Sequence, residues 1–102
     1  MKKIDFSKIE VKGIDGKPYM IPKMADGKTA FMEYDFSKAL GNELFYGSQD
    51  IKIAEIGQKI YHHEEVEVSD EEFATIREII DSRFLPFVRM SVNPQLDKMV
   101  SE

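Results

Sequence analysis

The sequence predicts an α+β fold, an N-terminal three-stranded antiparallel meander followed by three to four α-helices. Three observations carry that expectation. Residues 1–34 alternate apolar and polar side chains around two Asp-Gly pairs, residues beyond 35 carry apolar side chains at helical spacing, and Ser69-Asp70-Glu71-Glu72 spells a helix start. The length of 102 residues suits one compact domain. It divides into a strand-rich part (1–34), a helical part (35–93) and a loose tail (94–102).

The strands come first. Ile9 and Val11 alternate with Lys8, Glu10 and Lys12, and Asp15-Gly16 then offers the pair that tolerates positive φ in a tight hairpin turn. A second run, Pro18–Met24, sets Tyr19 and Ile21 on one face and ends at Asp26-Gly27. The third, Thr29–Tyr34, is β-prone but mixed in its facing. Pro18 and Pro22 lack an N–H, which suits a strand start and a bulge better than a central ladder.

Three helices follow. Over Asp35–Tyr46, Phe36, Ala39, Leu40 and Leu44 share a face, with Asp35 as N-cap and Gly47 as the glycine after the last turn. Over Asp50–His62, Ile53, Ile56, Gly57, Ile60 and Tyr61 form a stripe opposite Lys52, Glu55, Lys59 and His62. Gly57 inside that stripe costs about 1 kcal/mol relative to Ala, which marks the close approach of another backbone. Val66 and Val68 alternate with glutamates in a short extended connector. The Ser69–Glu72 capping box then opens a helix carrying Phe73, Ile76, Ile80 and Phe84, ended or kinked at Pro86. A short last segment, Phe87–Val92, stops at Asn93-Pro94, because the residue before a proline is pushed out of the α region.

Composition narrows the function classes. There is no cysteine, hence no disulfide framework, thiolate zinc site or cysteine nucleophile. No apolar run approaches the length of a membrane span, and Asp5, Lys8 and Glu10 interrupt the place where a signal peptide would be apolar, so the expected location is the cytoplasm. The net charge of −5 divides into +3 over residues 1–28 and −8 over 29–102, which reads as an electrically two-ended molecule.

Candidate chemistry is sparse. His62-His63-Glu64-Glu65 lacks the His-x-x-x-His spacing that aims two imidazoles at one ion, and reads as a solvated helix end. Glu10-Val11-Lys12 matches the tail of a metal-dependent nuclease signature, with Asp5 as the nearest second acid, but alternation on a wet strand produces the same string. No metal, cofactor or catalytic residue is therefore assigned. Two surfaces remain as candidates for contact with a protein partner or for self-association. One is the apolar segment Phe84, Leu85, Phe87, Val88 and Met90; the other is the acidic run that includes Glu64, Glu65 and Glu67. A nucleic-acid-associated regulator using Lys2, Lys3, Lys8 and Lys12 is the alternative, and the long connector between the second and third helices argues against a helix-turn-helix version of it.

The strings Leu40-Gly41-Asn42 with Leu44-Phe45-Tyr46, then Lys59-Ile60-Tyr61-His62, then Val66-Glu67-Val68-Ser69-Asp70-Glu71-Glu72, resemble small uncharacterised proteins encoded in tailed bacteriophages and prophages. The resemblance covers about residues 35–88. It implies a phage-borne, small, non-enzymatic protein of the structural or regulatory gene set, and brings no catalytic residues with it.

Overall fold

The computed structural model describes residues 2–25 and 27–100, and their side chains apart from Met24 and Ala25. The chain runs β1 (Lys2–Ile4), one 3₁₀ turn (Phe6–Lys8), β2 (Met20–Ala25), β3 (Lys28–Glu33), α1 (Phe36–Gly47), α2 (Ile51–Tyr61), β4 (Val66–Val68), α3 (Asp70–Arg83) and α4 (Pro86–Val100). The class is α+β, but the strands form two antiparallel pairs in place of a meander. β1 pairs with β4 (Lys2–Val68, Lys3–Glu67, Ile4–Val66), and β2 pairs with β3 (Met20–Glu33 through Ala25–Lys28).

The expected first strand is extended without belonging to either sheet. Ile9 and Val11 are buried and Glu10 and Lys12 exposed, as the alternation predicts. One edge of this segment meets residues 17–19: Tyr19 N–H donates to the Val11 carbonyl and Gly13 N–H to the Lys17 carbonyl, both at 2.9 Å. Gly16, at φ 78°, turns the chain between them. The ladder shrinks to one bridge, Lys12–Pro18, since the Tyr19 carbonyl that would extend it turns to Tyr34 N–H instead. The second expected turn falls partly on Asp26, outside the described residues.

The other edge of the same segment is covered by a helix. Glu10 N–H donates to Gln95 Oε1 (3.1 Å), Gln95 Nε2 donates back to the Glu10 carbonyl (2.8 Å), and Lys12 N–H donates to Ser91 Oγ (3.0 Å). In an extended chain the N–H groups of residues two apart face the same edge, about 6.7 Å from one another; four residues of helix rise about 6 Å. That match lets positions 95 and 91 serve positions 10 and 12.

This contact corrects the reading of 94–102 as a loose tail, since α4 continues through Pro94 to Val100. Pro94 removes the N–H that would bond the Met90 carbonyl, on an exposed stretch where water reaches it. An interior proline costs about 3 kcal/mol, whereas burying Val92 and Leu96 completely contributes about 1.5–3 kcal/mol each, so packing outweighs the break. Pro86 starts α4 at its first position, where a missing N–H has no helical partner to lose.

The remaining helix signals behave as local chemistry dictates. Asp35 and Asp50 accept from Lys38 N–H (3.1 Å) and Lys52 N–H (2.9 Å) to cap α1 and α2. Both halves of the capping box form, Glu72 N–H to Ser69 Oγ at 3.1 Å and Ser69 N–H to Glu72 Oε1 at 2.8 Å. Gly47 differs from expectation: it is the last residue of α1, with Ser48 as an extended cap and no left-handed turn. Val66 and Val68 are buried about the exposed Glu67. One buried cluster joins Ile4, Phe6 and Val11 to Leu40, Ile53, Ile60, Ile80, Val92 and Leu96.

Two glycines bring α1 and α2 into backbone contact. A Cβ on Gly41 would lie 2.7 Å from the Gly57 carbonyl and from the Tyr61 backbone; one on Gly57 would lie 2.6 Å from Leu44 Cβ and 3.0 Å from the Gly41 carbonyl. Gly57→Ala should therefore destabilise by about 1–3 kcal/mol net, overpacking outweighing the gain in helix propensity. Gly47→Ala meets nothing nearer than 3.8 Å and should stabilise by about 0.5–1 kcal/mol. Urea unfolding of the two variants checks the opposite signs.

Candidate functional site

The chain changes edges at Tyr19. Its N–H bonds back to Val11 while its carbonyl accepts from Tyr34 N–H at 2.8 Å, so the β2–β3 arm branches from the body at this residue. The Tyr19 ring lies edge-on to Phe87 (4.9 Å between centroids) and to Tyr34 (5.8 Å). Burial, with the neighbouring Tyr19, Glu43 and Asp35 adding in the same sense, raises the Tyr34 phenol above its ordinary pKa.

An open cleft lies on each side of the Tyr19–Phe87 contact. One, of about 460 Å³, is lined by Ile21, Tyr34, Phe84 and Leu85; the other, of about 610 Å³, by Lys12, Ile14, Met90 and Ser91. Their rims are apolar and wet: Ile14 is fully exposed, Met90 77% and Leu85 65%. The arm carries further exposed apolar side chains. Every residue of β3 is exposed, Phe31 at 66%, and Met20 of β2 at 44%.

The apolar segment expected to meet a partner is thus divided. Val88 belongs to the core, Phe84 packs on Phe36 (5.2 Å between rings), and Phe87 is half covered by Tyr19; Leu85 and Met90 face solvent. Glu64, Glu65 and Glu67 are exposed, yet neither apolar cleft includes them. Ile14, Met20 and Phe31, which sequence reasoning did not select, join Leu85 and Met90. For Phe31 the signal was the mixed facing of Thr29–Tyr34, which describes a strand with no buried side; Ile14 and Met20 had none.

The expected two-ended charge distribution is also modified. Pairing of β1 with β4 sets Lys3 directly across from Glu67, and Lys2 Nζ lies 2.9 Å from Asp70 Oδ1. Two of the four lysines considered for nucleic-acid binding therefore sit among the acids. Lys8 and Lys12 are exposed elsewhere on the N-terminal segment.

A third cleft, of about 340 Å³, brings Lys8, Glu10, Glu33, Asp35 and His63 together. Its central pair is occupied with holding the fold. Asp35 gives one oxygen to the α1 cap and the other to His63 Nε2 at 2.7 Å. His63 closes α2 in the left-handed region (φ 63°), donating its N–H to the Ile60 carbonyl while Glu64 N–H reaches the Lys59 carbonyl. A non-glycine residue there costs about 1–2 kcal/mol, which the Asp35 contact and the buried Ser37–Ile60 hydrogen bond help to offset. Asp5, the second acid of the nuclease reading, caps the 3₁₀ turn through Ser7 N–H. Among the described residues no three His, Cys, Asp or Glu side chains gather to hold a metal, and no helix is long and apolar enough to cross a membrane.

These features define a small α+β protein with two apolar clefts and an exposed arm. No protein-family model, curated protein or solved structure matches the chain.

Two exposed carboxylates carry a pH dependence. The hydrogen bond from Arg77 holds Asp97 below the ordinary carboxylate range, and Lys2 does the same for Asp70. Groups with depressed folded-state pKa values contribute stability above their unfolded pKa and lose it as pH falls through the folded value. The melting temperature should therefore fall on acidification below about pH 4, and Asp97→Asn should flatten that limb while lowering the neutral plateau. Thermal unfolding followed by circular dichroism from acid to neutral pH measures both effects.

Proposed function

We propose that this chain is a non-enzymatic cytoplasmic interaction protein, of the accessory or assembly kind, acting through self-association or a protein partner. The observation that carries the reading is the pair of apolar clefts at the root of the arm. Ile14, Leu85 and Met90 flank the Tyr19–Phe87 contact, and Met20 and Phe31 add exposed apolar side chains on the opposite face of the arm. Exposed apolar residues clustered in this way mark contact sites, because leaving them in water costs free energy that a partner recovers. The acidic Glu64–Glu67 rim would add steering toward a basic surface.

The nucleic-acid alternative is weaker on electrostatic grounds. Lys2 is paired with Asp70 and Lys3 stands across from Glu67, so a phosphate approaching β1 meets carboxylates beside each cation. The Asp35–His63 couple is already occupied by the α1 cap and the end of α2, which favours a structural role over catalysis.

Leu85→Glu with Met90→Glu tests the reading, as both side chains face solvent and the change should leave the circular dichroism spectrum intact. Pull-down from the source cell should show a partner protein that this variant loses, with no salt-sensitive binding to a labelled DNA duplex. Duplex binding that Lys8→Glu with Lys12→Glu abolishes would overturn it in favour of the regulator.

A further inference from the structure

We infer that the outer edge of β3 pairs antiparallel with the same edge of a second copy of this chain, centred on Phe31. The inference rests on the self-association branch of the proposed function and names its geometry.

The ladder within the arm shows which edges are open. Tyr34 N–H bonds the Tyr19 carbonyl, so alternation makes Ile21–Met32 and Lys23–Ala30 the bonded pairs and Met20–Glu33 and Pro22–Phe31 the non-bonded ones. Backbone groups of non-bonded pairs face outward. On β2 that outward position is held by Pro22, which has no N–H and blocks strand addition. On β3 it is held by Phe31, with both backbone groups directed away from β2. One edge of the arm is therefore closed by a proline, and the other presents a strand with an exposed aromatic residue at its middle.

The β3 edge is self-complementary. An antiparallel two-fold pairing needs residues of the same parity opposite each other, and centring it on Phe31 overlaps the whole strand. Phe31 then exchanges backbone bonds with Phe31 of the other copy, Ala30 faces Met32, Glu33 faces Thr29 and Lys28 faces Tyr34. No like charges meet. Met20, Pro22 and Phe31 share a face of the arm, so the four-stranded sheet joins their apolar surfaces across the axis.

Strength and salt dependence follow. Pairing two strands about 20 Å long buries on the order of 700 Å² in total, below the ~1,200 Å² of stable complexes, so the dimer is weak and forms at high concentration. Each copy carries a net charge of −5, and screening their repulsion should tighten the dimer as salt rises. Docking of a basic partner on the acidic rim would weaken with salt instead.

The test is sedimentation of the full chain across the micromolar to submillimolar range at low and high salt, with two variants. Phe31→Pro deletes an N–H that the arm itself does not use, and should weaken dimerisation by about tenfold or more with the fold retained. Ala30→Cys with Met32→Cys, in a chain that has no native cysteine, places thiols on a non-bonded pair about 4.5 Å apart between Cα atoms, and should cross-link as a covalent dimer on mild oxidation. A wild type that stays monomeric throughout overturns the inference but leaves a partner at the Leu85–Met90 surface testable by its own variant. A dimer that survives Phe31→Pro and resists cross-linking overturns this edge and keeps self-association.

Discussion

A glutamine side chain occupies the place of a β-strand. The Gln95 amide donates to and accepts from the Glu10 main chain, as a neighbouring peptide would, and Ser91 one turn earlier serves Lys12. Each of these hydrogen bonds contributes about 0.5–1.5 kcal/mol net, so the two α4 side chains help to hold the Ile9–Lys12 segment in place with Ile9 and Val11 in the core. Much else hangs on that contact. It gives α4 a reason to continue past Pro94, it sets the path of the chain into Tyr19, and so it fixes where the β2–β3 arm leaves the body.

The helical side of the molecule rests on a different constraint, backbone contact between α1 and α2. Gly41 and Gly57 let the two helices approach until a carbonyl stands where a methyl group would be. The end of α2 then reaches back to the start of α1 through His63 and Asp35, and through Ser37 onto the Ile60 carbonyl. The cleft containing His63 is shaped by these structural bonds. The surface available for contact lies instead around Tyr19 and Phe87 and along the arm, where apolar side chains have no cover.

Local chemistry was legible and distant pairing was not. Asp35, Asp50 and Ser69 announce helix starts because a cap is satisfied within three residues, and the α2 stripe announces its face because its period is set by the helix. Gly57 marks a close approach, yet its counterpart Gly41 had no signal of its own. Gln95 reaches a partner 85 residues away, and nothing in a polar amide near a chain end says which backbone it will meet. The same limit hid the pairing of β1 with β4. At the candidate surface, Leu85 and Met90 were readable as excess apolar content, while Val88 beside them entered the core because the helix turned it inward.

α4 completes the N-terminal segment through side-chain hydrogen bonds, and the arm is positioned as a consequence. Amide hydrogen exchange at Glu10 and Lys12 addresses this most directly. Both should exchange as slowly as amides bonded within the β1–β4 pair, and Gln95→Leu should release Glu10 while α4 stays helical. Exchange of Glu10 and Lys12 in the wild type at the rate of an open loop, with α4 protected, would contradict it.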